Sequence, residues 1–166
     1  DLATVLTAVD AFVEVAGPRG RRLSEVASFY RGPGEVRLGS GEFVRAVRLR
    51  TDRFHGVDYR KLNRGTGDFA VISVATSVRL APDGRVEDAR VVLGAMAPTP
   101  YRARDTERLL VGAAPGAVDL SRAAGAWVGR AHPLRDNEWK VDVAVTMVQR
   151  SLERSLAEAQ AVRSAR

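Results

Sequence analysis

Ala70-Val71-Ile72-Ser73-Val74-Ala75-Thr76-Ser77-Val78-Arg79-Leu80 decides the fold. Ala70, Ile72, Val74, Thr76, Val78 and Leu80 fall on one side of an extended chain and Ser73, Ser77 and Arg79 on the other, the two-residue period of a half-buried strand. Pro82-Asp83-Gly84-Arg85 then supplies turn chemistry, and Val86 to Leu93 returns as the antiparallel partner. After this hairpin, Pro98 and Pro100 break the pattern. Asp105 or Thr106 is placed to cap a short helix carrying Leu109 and Leu110, and a second helix is expected over Leu120 to Val128. The longest helix should run from about Asn137 to Ala161, with Val141, Val145, Val148, Leu152 and Leu156 on the stripe that packs against the hairpin sheet.

Upstream of the hairpin the signals are shorter. Leu2, Val5, Leu6 and Val9 have helical spacing, so the chain is expected to open within an amphipathic helix. Ala11 to Val15 and Arg21 to Val26 read as two strands joined by the turn Gly17-Pro18-Arg19-Gly20. Ser24 is positioned to cap a helical turn ending near Tyr30, the Gly32-Pro33-Gly34 loop follows, and Glu42 to Arg50 reads as a further strand. Polar residues from Thr51 to Gly56 mark a boundary between two units, 1–50 and 51–166. The expected class is α+β: an antiparallel sheet built around a β-hairpin, packed against helices that include a long C-terminal one, and preceded by a small helix-plus-hairpin unit.

Composition narrows the function. A chain of 166 residues, 45% hydrophobic and 28% charged, is expected to be globular and soluble, with one ordinary domain or one domain plus part of another. It holds no cysteine, which excludes disulfides, thiol catalysis and iron–sulfur ligation by its own side chains; with His55 and His132 as its two histidines, no zinc site is expected. No apolar run approaches the roughly 20 residues that span a bilayer, so no membrane partner is expected and the cytoplasm is the expected compartment. The net charge of +6 raises nucleic acid as a partner. Its distribution argues against one: Lys61 and Lys140 are the two lysines, and the arginines are scattered among acidic residues rather than gathered in a stripe with interleaved aromatics. No Gly-x-Ser-x-Gly elbow, Walker loop or histidine pair at metal spacing is present, and no catalytic residue is assigned.

Two segments carry a resemblance. Tyr59-Arg60-Lys61-Leu62-Asn63-Arg64-Gly65-Thr66-Gly67-Asp68-Phe69-Ala70, followed by Gly94-Ala95-Met96-Ala97-Pro98-Thr99-Pro100-Tyr101-Arg102-Ala103, resembles the FAD-binding medium subunit of the molybdenum hydroxylases, the carbon monoxide dehydrogenase and xanthine dehydrogenase type. The resemblance makes residues 1–50 the end of the FAD-binding domain and 51–166 the C-terminal domain of the flavin subunit. It implies FAD as cofactor, shared with glycine-rich pyrophosphate loops that have no counterpart in these residues. It also implies partner subunits with iron–sulfur clusters and molybdopterin, electrons passing from those clusters through FAD to an acceptor. The chain by itself is not expected to be an active oxidoreductase.

By the same resemblance three residues lie near the cofactor. Asp1, in Asp1-Leu2-Ala3-Thr4-Val5-Leu6, matches an acidic residue after the second FAD loop; as a residue alone it reads equally as a helix N-cap. Leu38, in Gly32-Pro33-Gly34-Glu35-Val36-Arg37-Leu38-Gly39, matches a leucine packed near the flavin, although Glu35-Val36 replaces the family's frequent Arg-Thr. Lys61 matches a lysine beside the flavin, where a fixed cation stabilises the negative charge of a reduced ring; on its own it reads as a surface lysine. Arg64 and Asp68 are expected to pair across their loop, and Arg102 to pair with a carboxylate of a neighbouring segment or subunit. Pro133-Leu134-Arg135-Asp136-Asn137-Glu138-Trp139-Lys140 departs from the family's Arg-Gly-Ser pattern while keeping Arg135 and an aromatic at Trp139. Two other readings remain: a non-catalytic domain that docks the subunits of such a complex, and an arginine-rich nucleic-acid binder.

Overall fold

The computed structural model describes residues 1–165. It is α+β, with antiparallel sheets and a long C-terminal helix. Helix α1 (Leu2–Ala8) leads into strands β1 (Phe12–Gly17) and β2 (Gly20–Glu25), a one-turn helix α2 (Val26–Phe29), and short strands β3 (Tyr30–Gly32) and β4 (Glu35–Val36). Strand β5 (Phe43–Arg48) returns antiparallel to β1, giving a small sheet of order β2-β1-β5. Ala11, Val13, Val15, Val26 and Phe29 form its apolar cluster.

β3 and β4 pair with each other as a two-stranded sheet, and the largest sheet has the order β6 (Gly56–Leu62), β7 (Ile72–Leu80), β8 (Val86–Gly94), β9 (Tyr101–Arg102), antiparallel throughout. Helix α3 (Arg104–Leu110), helix α4 (Leu120–Gly125) and the long α5 (Trp139–Ser164) complete the chain. The face of β7 carrying Ile72, Val74, Val78 and Leu80 joins Val148, Leu152 and Leu156 of α5 in the main core. The one polar residue on that row, Thr76, is satisfied by α5, with its hydroxyl 2.8 Å from Ser151 Oγ and 3.1 Å from Ser155 Oγ.

β7 is not half-buried as its alternation suggested. Its other face is covered by α1: Ala75 joins Ala8 and Val92 in a small cluster, and the Ser77 hydroxyl donates to the Ala8 carbonyl. Serine and alanine on that face are small because a helix lies close above them. α1 itself straddles two clusters, with Leu6 and Val9 on the small unit and Val5 on the sheet, while Thr4, Thr7 and Ala8 are buried and Leu2 is exposed.

α5 lies close enough to the sheet to touch backbone. Its buried stripe is Ala144, Val148, Ser151, Leu152, Ser155, Leu156 and Ala159, so Val141 and Val145 of the expected stripe sit at its margin. The small members let Gly56 approach so closely that a Cβ there would lie 1.8 Å from the Ser155 carbonyl oxygen. On the opposite face a Cβ at Gly94 would lie 2.2 Å from Thr4 Oγ1, so α1 needs a glycine beneath it as well.

Several helix ends differ from expectation. Glu25, not Ser24, is the N-cap of α2, without a side-chain cap bond. The N-cap of α3 is Ala103: Asp105 instead binds Arg130 Nε at 2.6 Å, and Thr106 is buried, donating to the Ala123 carbonyl at 2.8 Å. α4 stops at Gly125, and a 3₁₀ turn at Val128–Arg130 follows. α5 begins at Trp139 and extends to Ser164.

Candidate functional site

The edge strand β6 pairs Lys61 with Ser73 of β7, and Ser73 pairs in turn with Gly94 of β8. Residues paired across strands share a face, so Lys61 projects on the side that α1 covers, as do Tyr59 and Val57 two and four positions earlier. Arg60 falls on the other side and binds its neighbour Asp58 at 2.9 Å.

At this corner of the sheet Lys61 Nζ donates to Asp1 Oδ2 at 2.6 Å. Asp1 is the N-cap of α1 by position, yet its carboxylate caps no amide of the helix and turns to the lysine. The Asp1 and Lys61 side chains are 33% and 26% exposed, a charge pair half sunk at the junction of helix and strand. Two residues sixty positions apart are thus joined. The hydroxyl of Ser73, the strand partner of Lys61, is buried without a hydrogen-bond partner, as is that of Thr7 in α1.

Leu38, the third expected residue, is elsewhere. It follows β4 and packs against the cluster formed by Val13, Val15 and Phe29. Tyr59, half exposed on the face of Lys61, is a residue that sequence reasoning passes over; the alternation Tyr59-Arg60-Lys61 is its signal.

Away from this corner, at the far end of α1 and in the small unit, the charges are largely paired. Asp10, at the end of α1, binds Arg53 at 2.9 Å and Arg90 at 2.9 Å, and Arg53 reaches Asp88 at 3.4 Å. The Phe54 ring packs against both guanidinium groups, 5.7 and 5.9 Å from its centroid. This network fastens the 51–56 segment to α1 and β8. In the small unit Glu14, its side chain only 5% exposed, receives Arg45 Nη1 at 2.6 Å and Arg48 Nε at 2.8 Å. Hydrogen bonds from Arg48 and then Arg45 hold its carboxyl below the usual range. Arg22 Nη2 binds Glu42 at 2.7 Å, and Glu42 also accepts the Gly39 amide at 2.8 Å; these two bonds, Arg22 first, hold the Glu42 carboxyl down to about 2.

The expected Arg64–Asp68 ion pair is not formed. That loop closes through its backbone, the Asp68 amide on the Gly65 carbonyl at 3.2 Å, and leaves Phe69 92% exposed. Arg102 finds its carboxylate within the chain, Glu107 at 2.7 Å, and Glu107 also accepts the Val91 amide at 3.0 Å.

Residues 58–155, from β6 well into α5, match the family described as the CO dehydrogenase flavoprotein C-terminal domain. The chain belongs to that family. It is 28% identical over 164 residues to the carbon monoxide dehydrogenase medium chain of Afipia carboxidovorans, an alignment covering 96% of this chain and 57% of that protein. It is 30% identical over 111 residues to the xanthine dehydrogenase FAD-binding subunit of Escherichia coli O157:H7, covering 65% of this chain and 38% of that one. Among solved structures, carbon monoxide dehydrogenase from Hydrogenophaga pseudoflava superposes with a TM-score of 0.85 at 30% identity, over 95% of this chain and 56% of the other. The chain spans about half the length of the curated relatives it matches. Among the described residues no helix is long and apolar enough to cross a membrane.

Proposed function

We propose that the chain is part of the flavoprotein subunit of a molybdenum hydroxylase, passing electrons from iron–sulfur clusters through FAD to an acceptor. Residues 1–50 would be the end of the FAD-binding domain and 51–166 the C-terminal domain of the flavin subunit, with an iron–sulfur subunit and a molybdopterin subunit as partners. Membership of the family and relatives named as FAD-binding subunits support this reading. The observation that carries it is the Asp1–Lys61 pair at 2.6 Å.

The residues present suit one flank of a flavin site. Lys61 is a cation fixed in position, accessible, and set beside the half-exposed ring of Tyr59. Asp1 holds it there, so its orientation is set before any ligand arrives, which removes an ordering cost from binding. FAD supplies the redox chemistry when bound; the protein's part is to place a positive charge where negative charge accumulates on reduction. Leu38, on the small unit, would reach the same cofactor from the other domain. Lys61 and Asp1 are positioning and electrostatic residues, and no proton transfer is assigned to them.

One flank is not a whole site. Calorimetric titration of FAD into the 166-residue chain is expected to show binding weaker than micromolar, because most of the contact to the pyrophosphate would come from other backbone amides. Submicromolar binding would overturn this division of the site.

A further inference from the structure

A separate cavity of about 280 Å³ opens between the loop after β8, the 3₁₀ turn at Val128–Arg130 and the first turn of α5. Met96, Tyr101, Trp127 and Val141 give it apolar walls, and Asn137 and Lys140 stand among its polar lining. Of its polar lining, His132 and Tyr101 can accept as well as donate, and the rest is weighted toward donors. The Lys140 ammonium meets no carboxylate among the described residues, only the Ala95 carbonyl at 3.4 Å. Asn137 spends its carbonyl oxygen on the Leu134 amide at 2.7 Å, which leaves its NH₂ group to donate. Trp127 is 3% exposed, and its indole N–H is buried without an acceptor. Arg130, also at the wall, already binds Asp105. The Tyr101 phenol, raised by burial, can donate or accept.

Surplus donors without acceptors are costly when buried and are repaid by a ligand that only accepts. The loop is moreover held in a strained shape: Ala95 has φ of 60°, a left-handed conformation that a side-chain-bearing residue adopts at a cost and that gathers at ligand sites.

We infer that this cavity binds a small carboxylate with a flat apolar body, its carboxylate against Lys140 and the Asn137 amide and its body between Met96, Tyr101 and Trp127. The volume suits one ring rather than a larger cofactor. The site is independent of the proposed flavin flank and stands or falls without it.

Benzoate is a suitable probe and the two indole N–H resonances a suitable readout, since Trp127 lines the cavity and Trp139 does not. Titration into the ¹⁵N-labelled protein should shift the Trp127 indole saturably, with Kd of about 1 mM or tighter. Benzamide, the neutral analogue of the same shape, should bind at least about tenfold more weakly. Lys140→Met should weaken benzoate binding about tenfold and Lys140→Arg should largely preserve it. No saturable shift, equal binding of benzamide, or undiminished binding to a folded Lys140→Met protein would each overturn the inference. The benzamide comparison requires no variant, so a folding defect cannot leave the question open.

Discussion

The two larger sheets among the described residues, β2-β1-β5 and β6–β9, are both antiparallel, and they are held by opposite means. The sheet β6–β9 is covered on both faces, by α5 and by α1, and its centre is a large apolar cluster that encloses the hydrogen-bonded hydroxyls of Thr76, Ser151 and Ser155. The sheet β2-β1-β5 packs with α2 around a cluster of five buried apolar residues, two of them its own, and beside them are carboxylates gripped by half-exposed arginines. It leaves Leu23, Phe43, Val44 and Val47 open to solvent. Apolar burial is worth about 25 cal/mol per Å², whereas exposed ion pairs are worth little and are screened by salt. The first region therefore carries the stability of the fold, and the second is held in shape by charges that depend on conditions.

The contrast can be broken at its strong end first. Gly56→Val places methyl groups where the backbone of α5 already lies, and should cost about 3 kcal/mol or more. Chemical denaturation measures it; a loss below about 0.5 kcal/mol would mean that α5 does not sit tightly against β6. Leu152→Ala, in the centre of the main core, should cost about 3 kcal/mol by the same assay. Val15→Ala, in the small cluster, should cost about 1.5 kcal/mol, and its effect should stay local. Hydrogen exchange is expected to accelerate in β1 and β5 while β7 and β8 keep their protection. Equal acceleration in β7 would merge the two regions into one cooperative unit.

The weakest effect is the most selective. The Glu42 carboxyl, ordinarily near 4.5, is held at about 2 in the fold. A depressed carboxylate contributes stability above its unfolded pKa, and that contribution is lost as pH falls from about 4.5 toward 2. Glu42→Gln should flatten the pH dependence of the melting temperature in that window, and raised salt should reduce the same slope in the parent protein. An unchanged slope in the variant would show that Glu42 is not a source of it.

How much is legible in the sequence differs between the two regions for the same physical reason. The β7–β8 hairpin is plain because alternation and turn residues are local signals. The second buried face of β7 is not: Ser73, Ala75 and Ser77 resemble a solvent face, and their small size is explained by a helix nearly seventy residues upstream. The expected caps at Asp105 and Thr106 do not form because tertiary structure gives those side chains other partners, Arg130 and the Ala123 carbonyl, while Ser24 lies within β2 opposite Val13, one residue short of the N-cap. Lys61 and Asp1 stand out separately, through resemblance, and nothing local predicts that they touch. Nor does spacing reveal the Asp10–Arg53–Asp88–Arg90 network or the donor-rich cavity at Trp127, both assembled from distant segments.

The most direct test of the central claim is the reduction potential of FAD in the complete flavoprotein, measured for the parent protein and for Lys61→Ala. Removing a cation from beside the ring disfavours the reduced form, so the potential should fall by about 30 mV, the equivalent of about 1.4 kcal/mol for a two-electron couple, with flavin content and fold retained. An unchanged potential at full flavin content would contradict the account and return the Asp1–Lys61 pair to the status of a surface ion pair.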